Sequence, residues 1–205
     1  MIEVVKNFIE KYNLSGTFIV AFSGGYDSMC LLDIMHKLNL RTVAVHLNHN
    51  WRGEESLNEA KNCEEFAKAT GIEFYSEILP EDIAKTETAA REARYDFFKR
   101  CAERFNTNII FTAHNADDNA ETVLYRIIKG TGTKGLGGIS EHRDIFYRPL
   151  LTVKREDIEN YCRENNLTPN CDSSNSNTKY KRNFIRHKIL PLLKEINPKV
   201  TDAVN

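Results

Sequence analysis

TFIVAFSGGYDSMCLLDIM, Thr17 to Met35, is the stretch whose reading decides the fold. An apolar, β-rich run (Thr17–Phe22) stops at Ser-Gly-Gly-Tyr-Asp-Ser, and Cys30, Leu31, Ile34, Met35 and Leu38 then recur at helical spacing. The pattern predicts a strand over 17–22, a glycine turn, and a helix over 28–38 with one apolar face. The same alternation continues downstream. Strands are predicted at Thr42–Leu47, Ile72–Ile78 and Asn108–Ala113, and helices at Leu57–Thr70, Thr86–Phe105 and Asp117–Lys129. Strand and helix in turn at this spacing mean parallel βαβ units. The expected fold is α/β, a parallel sheet with helices on both faces.

The alternation loosens after Lys129. A glycine-rich loop (Gly130–Gly138) leads to a short strand at Ile145–Arg148 and a helix over Val153–Asn165, with Thr152 as its expected cap. Asn170–Asn177 is rich in turn residues, and a last helix over Arg182–Ile196 contains Pro191, which should kink or divide it. The expected organisation is a core of residues 1–150 and a helical extension of residues 151–205 packed on it.

Composition narrows the class. The 205 residues are 41% apolar, enough for a packed core, and the net charge is −1. A generally basic surface is therefore excluded, and any contact with nucleic acid needs a local patch. The five cysteines are odd in number and form no CxxC pair, which argues against a disulfide framework and for a reducing compartment, the cytosol. The opening MIEVVKNFIEKYNL reads as an amphipathic helix with charges throughout, not a signal peptide, and nothing later resembles a membrane span.

SGGYDS lies where a parallel strand ends, the edge at which open sheets bind ligands. Amides at the following helix start favour an anion, and Ser23 and Ser28 add hydroxyls. Asp27 would repel a phosphate unless Mg²⁺ bridges the two. A bare SGG is equally a tight turn with Asp27 or Ser28 capping the helix; the full string between strand and helix points to phosphate. No GxxxxGK[ST] occurs, so this is not the common P-loop. Gly130–Gly135 matches GxGxxG but follows a helix, so it is not a dinucleotide fingerprint.

Four further groups stand out. Asp117, Asp118 and Glu121 share one helix face at the sheet edge. Acids favour helix N-termini in any case, yet three together suit an ammonium group. Arg91 and Arg94, with Glu87 one turn before Arg91, form either a solvated face or a clamp for phosphate charge. His46, Asn48 and His49 suit a nucleotide-binding loop better than a metal site, and His114 is a helix-start residue or a site wall. Finally, Lys179, Lys181, Arg182, Arg186 and Lys188 interleave with Tyr180, Phe184 and His187. Such a segment offers phosphate contacts and stacking platforms for unpaired bases; the alternative is core aromatics with solvating charges.

Taken together, these stretches resemble a known group. SGGYDS is similar to the pyrophosphate loop of the ATP pyrophosphatases, the PP-loop superfamily. HLNHNWR (His46–Arg52), ETAAREARY (Glu87–Tyr95), TAHNADDNAET (Thr112–Thr122), GLGGI (Gly135–Ile139), RPLL (Arg148–Leu151), DSSN (Asp172–Asn175) and RNFIRHKILP (Arg182–Pro191) occur in the order seen in tRNA(Ile)-lysidine synthetases, over nearly the whole chain. The resemblance implies an adenine nucleotide alpha hydrolase-like fold and a carbon–nitrogen ligase. ATP would adenylate the wobble cytidine of tRNA(Ile) with a CAU anticodon, and free lysine would displace AMP to give lysidine. It implies ATP and Mg²⁺ as cofactors, with lysine and the tRNA anticodon loop as partners. Ser23, Gly24, Gly25, Tyr26, Asp27, Ser28, His46 and Asn48 would bind ATP, with Asp27 near the metal. Asp118 and Glu121 would place lysine; Asp27, Arg91, Arg94 and Asp118 would be catalytic; Lys179, Lys181, Arg182 and Arg186 would meet the tRNA. Asp117 would serve magnesium or the helix dipole. Cys171 stands where many relatives carry an acid, so that acid's role does not carry over. Many relatives also continue with tRNA-gripping domains, which makes this chain a compact member or a catalytic piece. Two rivals share the loop. A thiolase on the same scaffold would need paired or persulfide-bearing cysteines. A non-catalytic ATP-binding module would need neither the acids nor the basic segment.

Overall fold

β1 (Phe18–Ala21) lies inside a six-stranded sheet with β2 (Thr42–Asn48), β3 (Glu73–Ile78), β4 (Ile110–Phe111), β5 (His142–Arg143) and β6 (Phe146–Tyr147), in the order β3-β2-β1-β4-β6-β5. The computed structural model describes residues 1–51, 53–80, 83–84, 86–170 and 181–205. Arg52, Cys171, the DSSN stretch, Lys179 and Tyr180 lie outside the described residues, as do the side chains of Glu87 and Lys134. All pairings are parallel except β5 with β6; Val20 sits opposite Ala44 on one side and Phe111 on the other.

The helices are α1 (Ile2–Lys11), α2 (Tyr26–Lys37), α3 (Glu54–Ala69), α4 (Glu87–Arg104), α5 (Ala116–Lys129), α6 (Thr133–Leu136) and α7 (Arg155–Glu164). They are followed by α8 (Lys181–Phe184), a π-helical turn (Ile185–Ile189), α9 (Leu190–Ile196) and α10 (Val200–Val204). Strand alternation sorts them onto two faces. Phe18, Val20 and Phe111 pack with residues of α1, α2, α3 and α7, while Ile19, Val43, Val45 and Ile110 pack against Phe97, Phe98, Cys101 and Ala102 of α4.

α2 differs from its expected single apolar face: Ser28 through Met35 are all buried, because α7 covers its outer side. Each fully buried Leu or Ile contributes roughly 1.5–3 kcal/mol. That gain accommodates Asp33, whose carboxylate accepts the Tyr161 hydroxyl at 2.6 Å and pairs with Lys37 at 2.8 Å.

Four other expectations are corrected. β4 is two residues, not six, although Thr112 N–H still donates to Tyr147 O at 3.0 Å. β5 was not foreseen; it forms a two-residue hairpin with β6 around Asp144, whose φ of 56° is one that Asp tolerates. Thr152 does not cap α7: Lys154 holds that position without a side-chain cap, and the Asp117 carboxylate accepts the Arg155 N–H at 2.9 Å instead. The last helix divides earlier than Pro191, at the π-helical turn, and Pro191 sits in the first turn of α9, where its missing N–H is no loss.

This order puts β2 and β4 on opposite sides of β1, with α2 leaving the end of β1 and α5 following β4. The crevice between two such turns is where open α/β sheets bind ligands.

Candidate active site

The loop after β1 is braced from outside. Gly24 has φ +79°, and a Cβ there would run into the Asn170 amide and stand 2.7 Å from Cys63 Sγ. Asn170 donates its N–H to Gly24 O at 2.9 Å and accepts from Asn62 Nδ2 at 2.9 Å, which ties the loop to α3. Only glycine fits both the dihedral and the space. Inside the loop, Ser28 Oγ accepts from Ser23 N at 3.2 Å, lies 3.1 Å from Ser23 Oγ, and donates to Gly25 O at 3.1 Å. Gly25 caps α2 in an extended conformation, and no side chain takes the helix's first amides. Tyr26 is exposed beside them. This is a concave, donor-lined turn of the kind that receives anions.

Asp27 opens α2 and is partly buried. Burial, more than the neighbouring Asp118 charge, pushes its carboxyl up to about 6, against the opposing pull of Arg155, Asn115 and Arg186. Asn115 Nδ2 donates to Asp27 Oδ1 at 2.8 Å. Across the crevice, Asn115 and Asp118 form a reciprocal capping box: Asp118 N–H donates to Asn115 Oδ1 at 2.9 Å, and Asn115 N–H to Asp118 Oδ2 at 3.1 Å. Asp118 Oδ1 also accepts from Arg155 and Arg186, both at 3.1 Å. Glu121 is 1% exposed and held by both oxygens, from Arg186 Nε at 2.6 Å and Nη2 at 3.0 Å. Burial alone would lower the Arg186 pKa; the bonds and charges of Glu121, with Asp118 and Asp27, raise it. The acids are thus already matched by guanidiniums, so an incoming ammonium must share or displace them.

On the β2 side, His46 is buried and donates Nδ1–H to Phe22 O at 2.9 Å; burial lowers its pKa. Asn48, also buried, donates to Ser56 O at 3.2 Å and accepts from Asn50 N at 2.8 Å, shaping the loop. Arg94 reaches from α4 to His49, 3.0 Å from its Nε2. A guanidinium only donates, so the neutral ring carries its proton on Nδ1, which is buried without a partner among the described residues. Burial, then the Arg94 charge, pushes His49 down to about 4. Arg91 is exposed over the Tyr95 ring at 5.0 Å. His114, bonded to Thr112 Oγ1 at 3.0 Å, is held below its ordinary pKa by burial and by Arg148, Arg182 and Arg91, against Asp118.

The structure therefore gathers Ser23, Gly24, Gly25, Asp27, Ser28, Asp118, Glu121 and Arg186 at one crevice and sets His46, Asn48 and Arg94 along its β2 side. Arg182 donates to Thr122 at 2.8 Å on α5, while Lys181 and Phe184 are exposed beyond it. Three residues were missed from sequence. Asn115 carried a readable signal, a cap residue three before an acid. Arg155 carried none, since its position follows from the packing of α7, and Arg148, though it opens RPLL, carried none for a place beside His114.

Among the described residues no group of three His, Cys, Asp or Glu could hold a metal alone. Magnesium usually takes one or two carboxylates plus substrate phosphates, and Asp27, with only Oδ1 in a protein hydrogen bond, fits such a shared ion. The four described cysteines are all buried, and burial pushes Cys63 and Cys101 up to about 12, far from a reactive thiolate.

A mostly parallel sheet with a glycine turn after its first strand, lined by amides, hydroxyls and one carboxylate and without a lysine, defines a class of α/β proteins. The chain belongs to the PP-loop domain family, whose profile matches residues 2–193. It is 40% identical over 220 residues to the tRNA(Ile)-lysidine synthase of Clostridium tetani, a match covering all of this chain and 47% of that protein. It is 45% identical over 196 residues to the same enzyme of Thermotoga maritima, covering 91% of this chain and 47% of the other. The chain spans about half the length of the curated relatives it matches. Among solved structures it resembles the U34-tRNA thiolase NcsA of Methanococcus maripaludis with TM-score 0.76 at 17% identity, covering 99% of this chain and 74% of that one. It also resembles the NMN synthetase of Francisella tularensis with TM-score 0.57 at 15% identity, covering 81% and 69%. At such identities the likeness speaks for the fold alone. No helix among the described residues is long and apolar enough to cross a membrane.

Proposed function

We propose that this chain carries the catalytic centre of a cytoplasmic tRNA(Ile)-lysidine synthase, with residues 1–150 supplying the nucleotide chemistry and residues 151–205 the RNA-facing wall. One observation carries this reading: a phosphate-loop carboxylate, Asp27, and the Asp118–Glu121 acid pair are joined through Asn115 at one crevice.

In this reading Ser23, Gly24, Gly25, Tyr26 and Ser28 hold the β and γ phosphates of ATP with amides and hydroxyls, while His46 and Asn48 shape the nucleotide's side wall. Asp27 would hold a Mg²⁺, which would supply positive charge to offset that on the departing pyrophosphate. The ring carbonyl oxygen of the wobble cytidine attacks the α-phosphorus and pyrophosphate leaves. Arg94, beside His49, and Arg91, over the Tyr95 ring, would offset the charge that grows at the α-phosphate. Asp118 and Glu121 place lysine by its ammonium charge. Its ε-amine, as the free base, attacks the ring carbon; AMP departs with the former carbonyl oxygen, and the amine sheds a proton. Lys181 and exposed Phe184 face the anticodon loop, and Lys179 and Arg182 add phosphate contacts; Arg186, paired with Glu121, serves the acid wall instead.

A pyrophosphate-release assay with tRNA(Ile) transcript tests this. Pyrophosphate is expected without lysine, and AMP with lysidine once lysine is added. ATP binding with neither product would overturn the reading.

A further inference from the structure

Asn115 is fully buried at the start of α5 and uses both ends of its carboxamide. The oxygen accepts the Asp118 N–H at 2.9 Å, and the nitrogen donates to Asp27 Oδ1 at 2.8 Å. Its backbone N–H donates to Asp118 Oδ2 at 3.1 Å. Asp27 rides on α2 and Asp118 on α5, the helices that flank the crevice beyond β1 and β4. Capping a helix requires only the oxygen, and Ser or Thr serves nearly as well. The bond to Asp27 requires a donor one bond farther from Cβ than a Ser or Thr hydroxyl, and Asn alone among the common caps supplies both that reach and an acceptor for the cap. Residue choice therefore exceeds what the helix needs.

We propose that Asn115 is a positioning residue that fixes the nucleotide-side carboxylate Asp27 and the amine-side carboxylate Asp118 in one register. The roles named for the two carboxylates rest on the functional reading above. A single buried amide then sets the geometry of both halves of the reaction: ATP activation on one side, capture of the amine on the other. Adenylation and amine attack must meet at one base, and a misplacement of about 1 Å can cost about a hundredfold in rate.

The test is Asn115→Ser and Asn115→Thr in the full chain. Both keep the cap, so melting temperatures within about 5 °C of wild type are expected. Calorimetry should show Mg·ATP binding weakened at least about tenfold, the loss expected when a charge-assisted bond worth about 1.5 kcal/mol or more goes. In the tRNA reaction kcat should fall about a hundredfold, and the lysine KM should rise several-fold in the same variant. A merely structural cap would move none of these. Folded variants with unchanged Mg·ATP and lysine parameters would overturn the proposal. So would loss on one side only, or unfolding of both variants, which would make Asn115 a scaffold residue. Wild type that binds Mg·ATP yet forms no lysidine would sink the functional reading instead, and the Mg·ATP arm would still decide whether Asn115 governs Asp27.

Discussion

The two walls of the crevice are built on opposite plans. Asp27 and its outside braces apart, the loop after β1 closes on itself within a few residues, Ser23 to Ser28, with hydroxyls and amides that carry no net charge. The facing wall is ionic and assembled from afar: Asp118 meets Arg155 from 37 residues away, and Glu121 meets Arg186 from 65. A neutral local turn can lose one group without orphaning a buried charge. A buried ion pair cannot, because removing one partner leaves the other desolvated. Changes in the loop should therefore cost function more than stability, and changes in the facing wall should cost both.

The largest expected effect lies in the loop. Asp27→Ala should abolish turnover, a loss of about a thousandfold or more if the carboxylate and its shared ion both stabilise the departing charge. The melting temperature should not fall, since the carboxylate it removes is one that burial disfavours. Substantial pyrophosphate release by Asp27→Ala would break the contrast at its strongest point.

Arg186→Ala should be the largest stability effect. It leaves Glu121 buried with neither oxygen paired, which costs about 3–5 kcal/mol, or roughly 10 °C in a chain of this size. Adding Glu121→Gln to that variant should restore much of the loss, because the orphaned charge is removed. A thermal melt of the single and double variants decides it; equal melting points would show that Glu121 finds water or protonates without penalty.

Asp118→Asn sharpens the comparison from the other side. The lysine KM should rise about tenfold, while the Mg·ATP dissociation constant changes by no more than about twofold, since Asp118 bonds to the nucleotide side only through Asn115 and its charge acts on Asp27 less than burial does. Equal losses for both ligands would show that the two walls do not divide the work as described.

The same contrast explains what could be read from the chain. TFIVAF followed by SGGYDS announces the strand, the turn and the helix because its apolar run, its glycines and the Ser23–Ser28 bonds are local, although the braces from Asn170 and Asn115 come from afar. The alternation of strand and helix points to the parallel sheet because its order is written along the chain, although the strand pairs themselves join distant residues. NADDNAET announced acids on one face of α5, but nothing in the sequence said that Arg186 would lie on them. The basic, aromatic run suggests a tRNA contact at Arg186, whereas its guanidinium, in the π-helical turn at Ile185–Ile189, pairs with Glu121. Thr152 looked like a good cap for α7, yet the acceptor comes from Asp117 on another helix. Such pairings depend on how elements pack, which no local pattern records.

The smallest effect is a matter of pH. The Asp27 carboxyl is pushed up to about 6 in the folded protein, from an ordinary value of 3.8, chiefly by burial. A raised folded pKa means that the protonated form is the one the fold favours. That contribution is complete below the unfolded pKa and disappears as pH rises through about 6. Metal-free wild type at pH 8 therefore carries a strained carboxylate that Asp27→Asn does not, while the Asn side chain can still accept from Asn115. At about 1.4 kcal/mol per unit, discounted for partial exposure, the gain is roughly 1–3 kcal/mol, a few degrees in melting temperature. The variant should melt higher than wild type at pH 8, and the gap should close as pH falls from about 7 towards 4. Because every other titrating group is shared, the difference between the two curves reports position 27 alone. A gap that is absent at pH 8, or that widens in acid, would mean that Arg155 and Arg186 already compensate the charge, and the loop would then belong electrostatically to the opposite wall.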